Sequence, residues 1–120
     1  MRELGTLMGW VVALGLCAIA IVCFIAPAAA VRAYGLPLAS HGDRWLVTAA
    51  GARDLAIGLL VVAALVKRER AGLRRLLLLA TVVPIADAAI VASHVGLANP
   101  VPLAMHAGGA GFMLAAVKLL

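Results

Sequence analysis

Residues 48–58 read TAAGARDLAIG and place Arg53 beside Asp54 near the middle of an apolar run long enough to cross a bilayer. An ionisable side chain at the centre of a membrane costs roughly 2.5 kcal/mol or more on insertion scales. Such residues therefore face a protein interior or a wet cavity, where they usually have a partner. The stretch predicts membrane helices packed around a polar site.

The composition is that of a membrane protein. Of the 120 residues, 66% are hydrophobic and 12% are charged, and the mean hydropathy is +1.15, whereas soluble domains are roughly half apolar. Only helices or closed barrels satisfy their backbone groups in lipid, and the alternation that a barrel requires is absent. The formal charge of +5 does not indicate nucleic acid, because the basic residues cluster beside apolar segments and form no aromatic-studded patch. We therefore predict an all-α integral membrane protein.

Four apolar segments make up a single domain, residues 1–120. The predicted spans of this four-helix bundle cover about 5–31, 44–66, 76–96 and 103–120. Pro84 lacks a backbone donor, so we expect it to kink the third span. Small residues four apart, such as Ala107, Gly111 and Ala115, let helices approach closely in lipid. We expect these small residues to pack inside a compact bundle.

The basic residues predict the orientation. The loop 67–75 holds five basic residues and one acid, a bias that keeps short loops cytoplasmic. With four spans, seven basic residues lie inside (Arg2, Lys67, Arg68, Arg70, Arg74, Arg75 and Lys118) and two outside (Arg32 and Arg44). We expect a multi-pass protein of the cell membrane, of the bacterial inner-membrane type, with both termini cytoplasmic.

The polar residues within the spans lie at matching depths. Arg53 is nine residues from the outer start of its span, and Asp87 is nine from the outer end of its own. At about 1.5 Å per residue, both lie roughly 13 to 14 Å below the outer boundary, and His106 and His94 lie about 3 to 6 Å below it. We expect Arg53 to pair with Asp87 across a helix interface, with Asp54 and His106 completing a cluster that opens outward.

This cluster predicts a pocket for a lipophilic small molecule, with acid/base chemistry such as isomerisation or cyclisation. Two carboxylates at one site can divide the roles of acid and base, a histidine can relay protons, and an arginine can orient a carboxylate or stabilise developing negative charge. The predicted catalytic residues are Asp87, Asp54 and His106, and the predicted substrate-binding residues are Arg53, His94 and Trp45.

Two other classes of function stay open. The first is a proton-coupled exporter, because small multidrug carriers are also dimers of four-helix chains with a membrane carboxylate. Those carriers have their acid in the first helix, and the first span here has none. The second is a structural or assembly subunit, in which the Arg–Asp pair only locks the helices together.

Metal and cofactor signals are weak. His94, His106 and Asp87 could supply metal ligands, but no HxxxH or HExxH spacing supports zinc, so we expect no metal. No GxxxxGK[ST] phosphate loop, GxSxG elbow or CxxC motif is present, and we expect no cofactor. The expected partners are membrane lipid and a lipophilic small molecule, without nucleic acid, and a homo-oligomer stays open.

Five short motifs along the chain form a recognisable pattern. They are a Pro-Ala-rich segment at 27–30, Gly-Leu-Pro at 35–37, Gly-x-Arg-Asp at 51–54, Val-Pro-x-x-Asp at 83–87 and His106, with the basic loop between the third and fourth. The pattern resembles an uncharacterised family of small bacterial and fungal four-helix membrane proteins, a domain of unknown function. It is also loosely similar to the DoxX-like four-helix membrane proteins. The resemblance implies the fold and the site positions, and it implies no reaction.

Overall fold

The computed structural model describes residues 2–36, 42–97 and 100–120, with side chains from residue 3 in the first range and from residue 44 in the second. The described chain is helical, with turns between the helices and no strand. The helices are α1 (Arg2–Ile25), α2 (Pro27–Tyr34), α3 (Gly42–Val66), α4 (Arg70–Ala80), α5 (Val82–Val95) and α6 (Pro100–Leu119).

Four helical segments are long and apolar enough to cross a membrane. They are Glu3–Ile25, Arg44–Val66, Arg70–Val95 and Pro100–Leu119, so that α4 and α5 share the third segment. Large apolar side chains cover the outside of the bundle, and Leu14, Ile25 and Leu79 are 62%, 77% and 69% exposed. Lipid can cover such a surface without the free-energy penalty that water would impose. The predicted all-α four-helix bundle of membrane type is confirmed.

A proline and a glycine set the limits of the short helix α2. Pro27 occupies the first turn of α2, where the missing N–H has no intrahelical acceptor in any case. Gly35 ends the helix with φ +98° and donates its N–H to the carbonyl of Val31 at 3.1 Å. A Cβ on Gly35 would lie 2.5 Å from the Cβ of Pro102, so this glycine lets the end of α2 contact the start of α6. The predicted first span, 5–31, thus extends beyond α1 into α2.

The third span is interrupted at Thr81, between α4 and α5. Pro84, three residues later, has no N–H for the carbonyl of Ala80. At the break, both the N–H and the hydroxyl of Thr81 donate to the carbonyl of Leu77, at 3.1 and 2.8 Å. A hydroxyl bonded in this way bends a membrane helix. The helix is thus interrupted at Thr81, whose φ of −61° and ψ of −24° stay helical, and the kink at Pro84 stays a prediction.

Small residues on α3 let it pack closely on α1. A Cβ on Gly51 would lie 2.6 Å from the Cβ of Cys23, and one on Gly58 would lie 2.9 Å from the Sγ of Cys17. Both distances are too short for ordinary contact. Close approach of α1 and α3 therefore depends on the lack of a side chain at these two glycines, as expected for helix pairs in lipid.

The small residues of α6 behave differently, and their predicted packing inside the bundle is wrong. Ala107, Gly111 and Ala115 are exposed, and a Cβ on Gly111 would meet no atom within 4 Å. The buried side of α6 is formed instead by Ala110, Met113, Ala116 and Val117, which belong to a face turned about 100° or more around the helix.

The apolar core lies toward the end of the bundle that contains the α3–α4 turn. Val61, Leu77 and Ala116 are fully buried there. The buried carboxylates Asp54 and Asp87 lie toward the other end, beyond this core along α3 and α5. The apolar core and the buried carboxylates thus occupy different ends of the bundle.

Candidate functional site

Arg53 joins two carboxylates from different helices. Its Nε lies 2.9 Å from Oδ1 of Asp54, the next residue on α3, and its Nη2 lies 3.6 Å from Oδ2 of Asp87 on α5. The predicted pair between Arg53 and Asp87 is confirmed. Asp54 is bonded to the same guanidinium, because the long arginine side chain folds along the surface of its own helix.

The Arg53 guanidinium bridges α3 and α5, two helices whose backbones have little close contact. In the described part of the chain α3 packs mainly on α1, and close backbone contact between α3 and α5 is slight. The Arg53 side chain is 39% exposed, whereas Asp54 and Asp87 are 10% and 12% exposed. The carboxylates are therefore shielded by the protein, and the arginine that links them is open to the surroundings.

Tyr34 is part of the site, and the sequence pattern does not predict it. Its hydroxyl donates to Oδ1 of Asp87 at 2.8 Å, across 53 residues of chain. Burial, with the hydrogen bond to Asp87 second, raises the pKa of the phenol above its usual value. The hydroxyl therefore stays protonated and can serve as a donor. The only signals for Tyr34 in the sequence are that it is the single tyrosine and that it directly precedes the Gly35-Leu36-Pro37 turn.

His106 contacts Tyr34 and orients it. The two rings meet edge to face, with centroids 4.8 Å apart and an interplanar angle of 63°. Nε2 of His106 lies 3.3 Å from the backbone carbonyl oxygen of Tyr34. A carbonyl only accepts, so Nε2 carries the proton in this contact. Within the described residues no hydrogen bond or ion pair joins His106 to Asp54 or Asp87, so a direct proton relay between them is not formed.

Five side chains from four helices thus form one connected group, which we name the polar cluster: Tyr34, Arg53, Asp54, Asp87 and His106. With the imidazole neutral, the cluster has a net charge of −1. It combines hydrogen-bond donors on Arg53 and Tyr34 with two carboxylates. Such a set can hold an anionic or carbonyl oxygen and can accept a proton close to it.

The chain also matches a protein-family model. A family model described as "Domain of unknown function (DUF4267)" matches residues 13–120. The chain belongs to the DUF4267 family. The match includes all five residues of the polar cluster. Comparison with curated proteins and with solved structures gave no match.

Two predicted binding residues of this DUF4267 chain lie apart from the cluster. Trp45, in the first turns of α3, is 77% exposed. His94 is exposed, and its Nδ1 lies 2.9 Å from the carbonyl oxygen of Ile90 and 3.1 Å from the hydroxyl of Ser93. In the described ranges neither residue has a hydrogen bond or ion pair to the cluster. Their roles in substrate binding stay predictions.

A separate cleft opens at the opposite end of the bundle, beside the α3–α4 turn. It encloses about 620 Å³ and is lined by residues of α1, α3, α4 and the turn, among them Glu3, Trp10, Arg68, Arg70 and Leu73. Among the described residues, no group of three or more His, Cys, Asp or Glu side chains could hold a metal ion. The DUF4267 chain thus has a polar cluster and a separate cleft, and the polar cluster contains four of the six predicted site residues, Arg53, Asp54, Asp87 and His106.

Proposed function

We propose that the polar cluster binds a lipophilic small molecule through a carboxylate or carbonyl oxygen at Arg53, and that Asp87 exchanges a proton with the bound molecule. The proposal rests on the unused hydrogen-bond donors and the exposure of Arg53. Of the five N–H donors of a guanidinium, Nε alone makes a hydrogen bond within the described residues, and the side chain is 39% exposed. Arg53 therefore has both donors and space for an acceptor oxygen.

The position of the cluster favours a lipophilic ligand. Arg53 lies near the middle of a segment long and apolar enough to span a membrane, and the gap between α3 and α5 lies beside it. A molecule dissolved in the bilayer can approach such a gap with its polar end first. A charged water-soluble molecule would have to give up its hydration to reach the same depth.

The proposed chemistry is an acid/base isomerisation or cyclisation. Arg53 binds the carbonyl oxygen of the ligand and stabilises the negative charge that develops there. Asp87 accepts the proton from the neighbouring carbon and returns it to a different carbon, so no oxidant or reductant is needed. Tyr34 donates to the other oxygen of Asp87 and orients it. Asp54 positions Arg53, and His106 positions Tyr34.

The proposal includes the placement of the chain in a membrane. Seven basic residues belong to the end that contains both termini and the α3–α4 turn, and two belong to the other end, which favours a cytoplasmic location for the first group. The polar cluster then lies toward the outer face of the cell membrane, and the gap beside Arg53 opens on that side.

A fluorescent fatty acid and its methyl ester test the binding step. We expect purified protein in nanodiscs to bind the acid roughly tenfold or more tightly than the ester, because a hydrogen bond to a charged group contributes about 1.5–3 kcal/mol. Arg53→Gln should abolish the preference. The matched control Arg44→Gln, on the same helix at the edge of the span, should leave it unchanged. Equal affinity of the unchanged protein for acid and ester would refute the assignment of Arg53.

Solvent deuterium tests the acid/base step. Membranes that contain the protein are incubated in deuterated buffer, and their lipids are then extracted. We expect one lipid species to have gained carbon-bound deuterium. Membranes that contain the Asp87→Asn variant should lack that species at equal protein level. Equal labelling in the two samples would exclude Asp87 as the base and leave a binding function.

The slight contact between α3 and α5 also favours a structural function, in which the Arg53–Asp87 pair only holds these helices together. In that case Arg53→Ala and Asp87→Ala should each destabilise the protein, and the double variant should recover part of the loss. The fatty acid and its ester should then bind equally. A drug-resistance assay in an efflux-deficient host tests the exporter alternative. If the protein is an exporter, it should protect the host from the drug, and Asp54→Asn should abolish that protection.

A further inference from the structure

The cleft beside the α3–α4 turn, which we name the loop-end cleft, combines charged and apolar walls. Its charged residues are Glu3, Arg68, Glu69 and Arg70, and its apolar lining includes Trp10 and Leu73. The volume of about 620 Å³ lies within the range of roughly 300–1,000 Å³ usual for small-molecule sites. The lining of the cleft shares no residue with the polar cluster, so a ligand in the cleft would not contact the cluster residues.

The charges that line the loop-end cleft are balanced, and the described side chains form no ion pair with them. Two arginines and two glutamates sum to zero, and none of the four forms an ion pair with any residue for which the structure describes a side chain. Glu69 also lies at the start of α4, where its Oε2 approaches Gly72. The four side chains therefore present both signs of charge to whatever occupies the cleft.

The backbone of the turn holds these charges in place. The N–H of Arg68 donates to the carbonyl of Leu65 and that of Glu69 to the carbonyl of Ala64, both at 3.0 Å, the paired bonds that close the end of a helix. Arg68 adopts φ +56° within this closure. A turn held in this way loses little conformational entropy when a ligand binds, which favours recognition.

We propose that the loop-end cleft binds a zwitterionic phospholipid whose head group has a primary ammonium, that is, a phosphoethanolamine lipid. The guanidinium groups of Arg68 and Arg70 would bind the phosphate, for which arginine geometry is well suited. Glu3 and Glu69 would accept from the ammonium, and an acyl chain would follow the apolar wall at Trp10 and Leu73. A purely anionic head group would leave both glutamates without a partner.

The location favours a lipid over a soluble phosphate. Glu3 begins the first membrane-spanning segment, Val66 ends the second and Arg70 begins the third, so the charged rim lies at the level where lipid head groups are found. Trp10 lies seven residues after Glu3, roughly 10 Å deeper at about 1.5 Å per residue.

Quenching of tryptophan by brominated lipids tests the proposal. Trp45→Phe leaves Trp10 as the only tryptophan, and the protein is placed in phosphatidylcholine nanodiscs. A fixed fraction of the lipid has brominated acyl chains, with a phosphoethanolamine, phosphocholine or phosphoglycerol head group. We expect the brominated phosphoethanolamine lipid to quench Trp10 with an apparent association constant at least roughly threefold above the other two.

Variants at the rim identify the source of the preference. Arg68→Gln combined with Arg70→Gln should lower quenching by all three lipids, because each head group contains the phosphate that the arginines would bind. Glu3→Gln combined with Glu69→Gln should remove the preference for phosphoethanolamine over phosphoglycerol. The matched control Arg74→Gln, on α4 but outside the lining of the cleft, should change neither. Far-UV circular dichroism checks that each variant is folded.

Three results would overturn the proposal. The first is equal quenching by all three brominated lipids, and the second is strongest quenching by the phosphoglycerol lipid. Both are measured on the unaltered cleft, so they do not depend on the folding of the rim variants. The third is displacement of the phosphoethanolamine lipid by millimolar inorganic phosphate, which would indicate a site for free phosphate.

Discussion

Tyr34→Phe removes one hydroxyl from the polar cluster and keeps the ring against His106. The lost contact is the hydrogen bond to Oδ1 of Asp87 at 2.8 Å. A hydrogen bond to a charged group contributes about 1.5–3 kcal/mol. Because Tyr34 is only half-buried, we expect the lower part of this range, a loss of about 1.5–2 kcal/mol in the free energy of unfolding.

A double-mutant cycle with Asp87→Asn separates this contact from the others at Asp87. Asparagine can still accept from Tyr34, and a neutral hydrogen bond is roughly half as strong as one to an ionised group. The coupling free energy between the two changes should therefore be about 1 kcal/mol. The effect of Asp87→Asn on Arg53 appears in both arms of the cycle and cancels.

Unfolding in mixed micelles with increasing sodium dodecyl sulfate, followed by far-UV circular dichroism, measures both quantities. Trp45→Phe is the matched control, because it also replaces an aromatic residue with phenylalanine. Trp45, unlike Tyr34, is 77% exposed, so the free energy of unfolding of this variant should stay within about 0.5 kcal/mol of that of the unaltered protein. If Tyr34→Phe is as stable as this control and the coupling is zero, the bond between α2 and α5 does not contribute to the fold as described.

Three further changes test other parts of the structure. The phenol of Tyr34, the single tyrosine, should ionise at higher pH in the folded than in the unfolded protein, because burial and Asp87 raise its pKa. Its stabilising contribution is complete below about pH 10 and is lost as the pH rises through the folded pKa; phenolate absorbance that appears at the same pH in both states would contradict this. Gly51→Ala should destabilise the α1–α3 pair by about 1–3 kcal/mol, whereas Gly111→Ala, with open space around it, should be neutral or stabilising in the same unfolding assay. Arg68→Gly should raise the stability by about 0.5–1 kcal/mol, because φ +56° suits glycine, and an unchanged transition would indicate that Arg68 is not strained.

The polar cluster and the loop-end cleft differ in how they could be recognised from the sequence. The polar cluster contains Arg53, Asp54 and Asp87. Each of these residues can be identified in the sequence on its own, because an ionisable side chain within an apolar span has a high free-energy cost in lipid. The loop-end cleft involves charges at the ends of helices, where such residues are common and carry no signal alone. The cleft becomes visible only when α1, α3 and α4 are brought together around Trp10.

The amino-acid sequence by itself determined the class of the fold, the presence of four apolar segments and the meeting of Arg53 with Asp87. Hydropathy and length act locally along the chain, and the rise per residue converts position in a helix into depth. Two charged groups at one depth in an apolar environment have a strong reason to pair. These conclusions need no knowledge of how the helices are rotated.

Only the tertiary structure decided which faces of the helices meet. In lipid, the outside of a helix is as apolar as its buried side, so hydrophobicity does not distinguish the two. For this reason the stripe of Ala107, Gly111 and Ala115 gave no indication that it faces outward. Likewise, Tyr34 joins the cluster because Gly35 permits a close contact with Pro102, and that contact depends on a backbone turn and on the rotation of α6, which local composition does not determine.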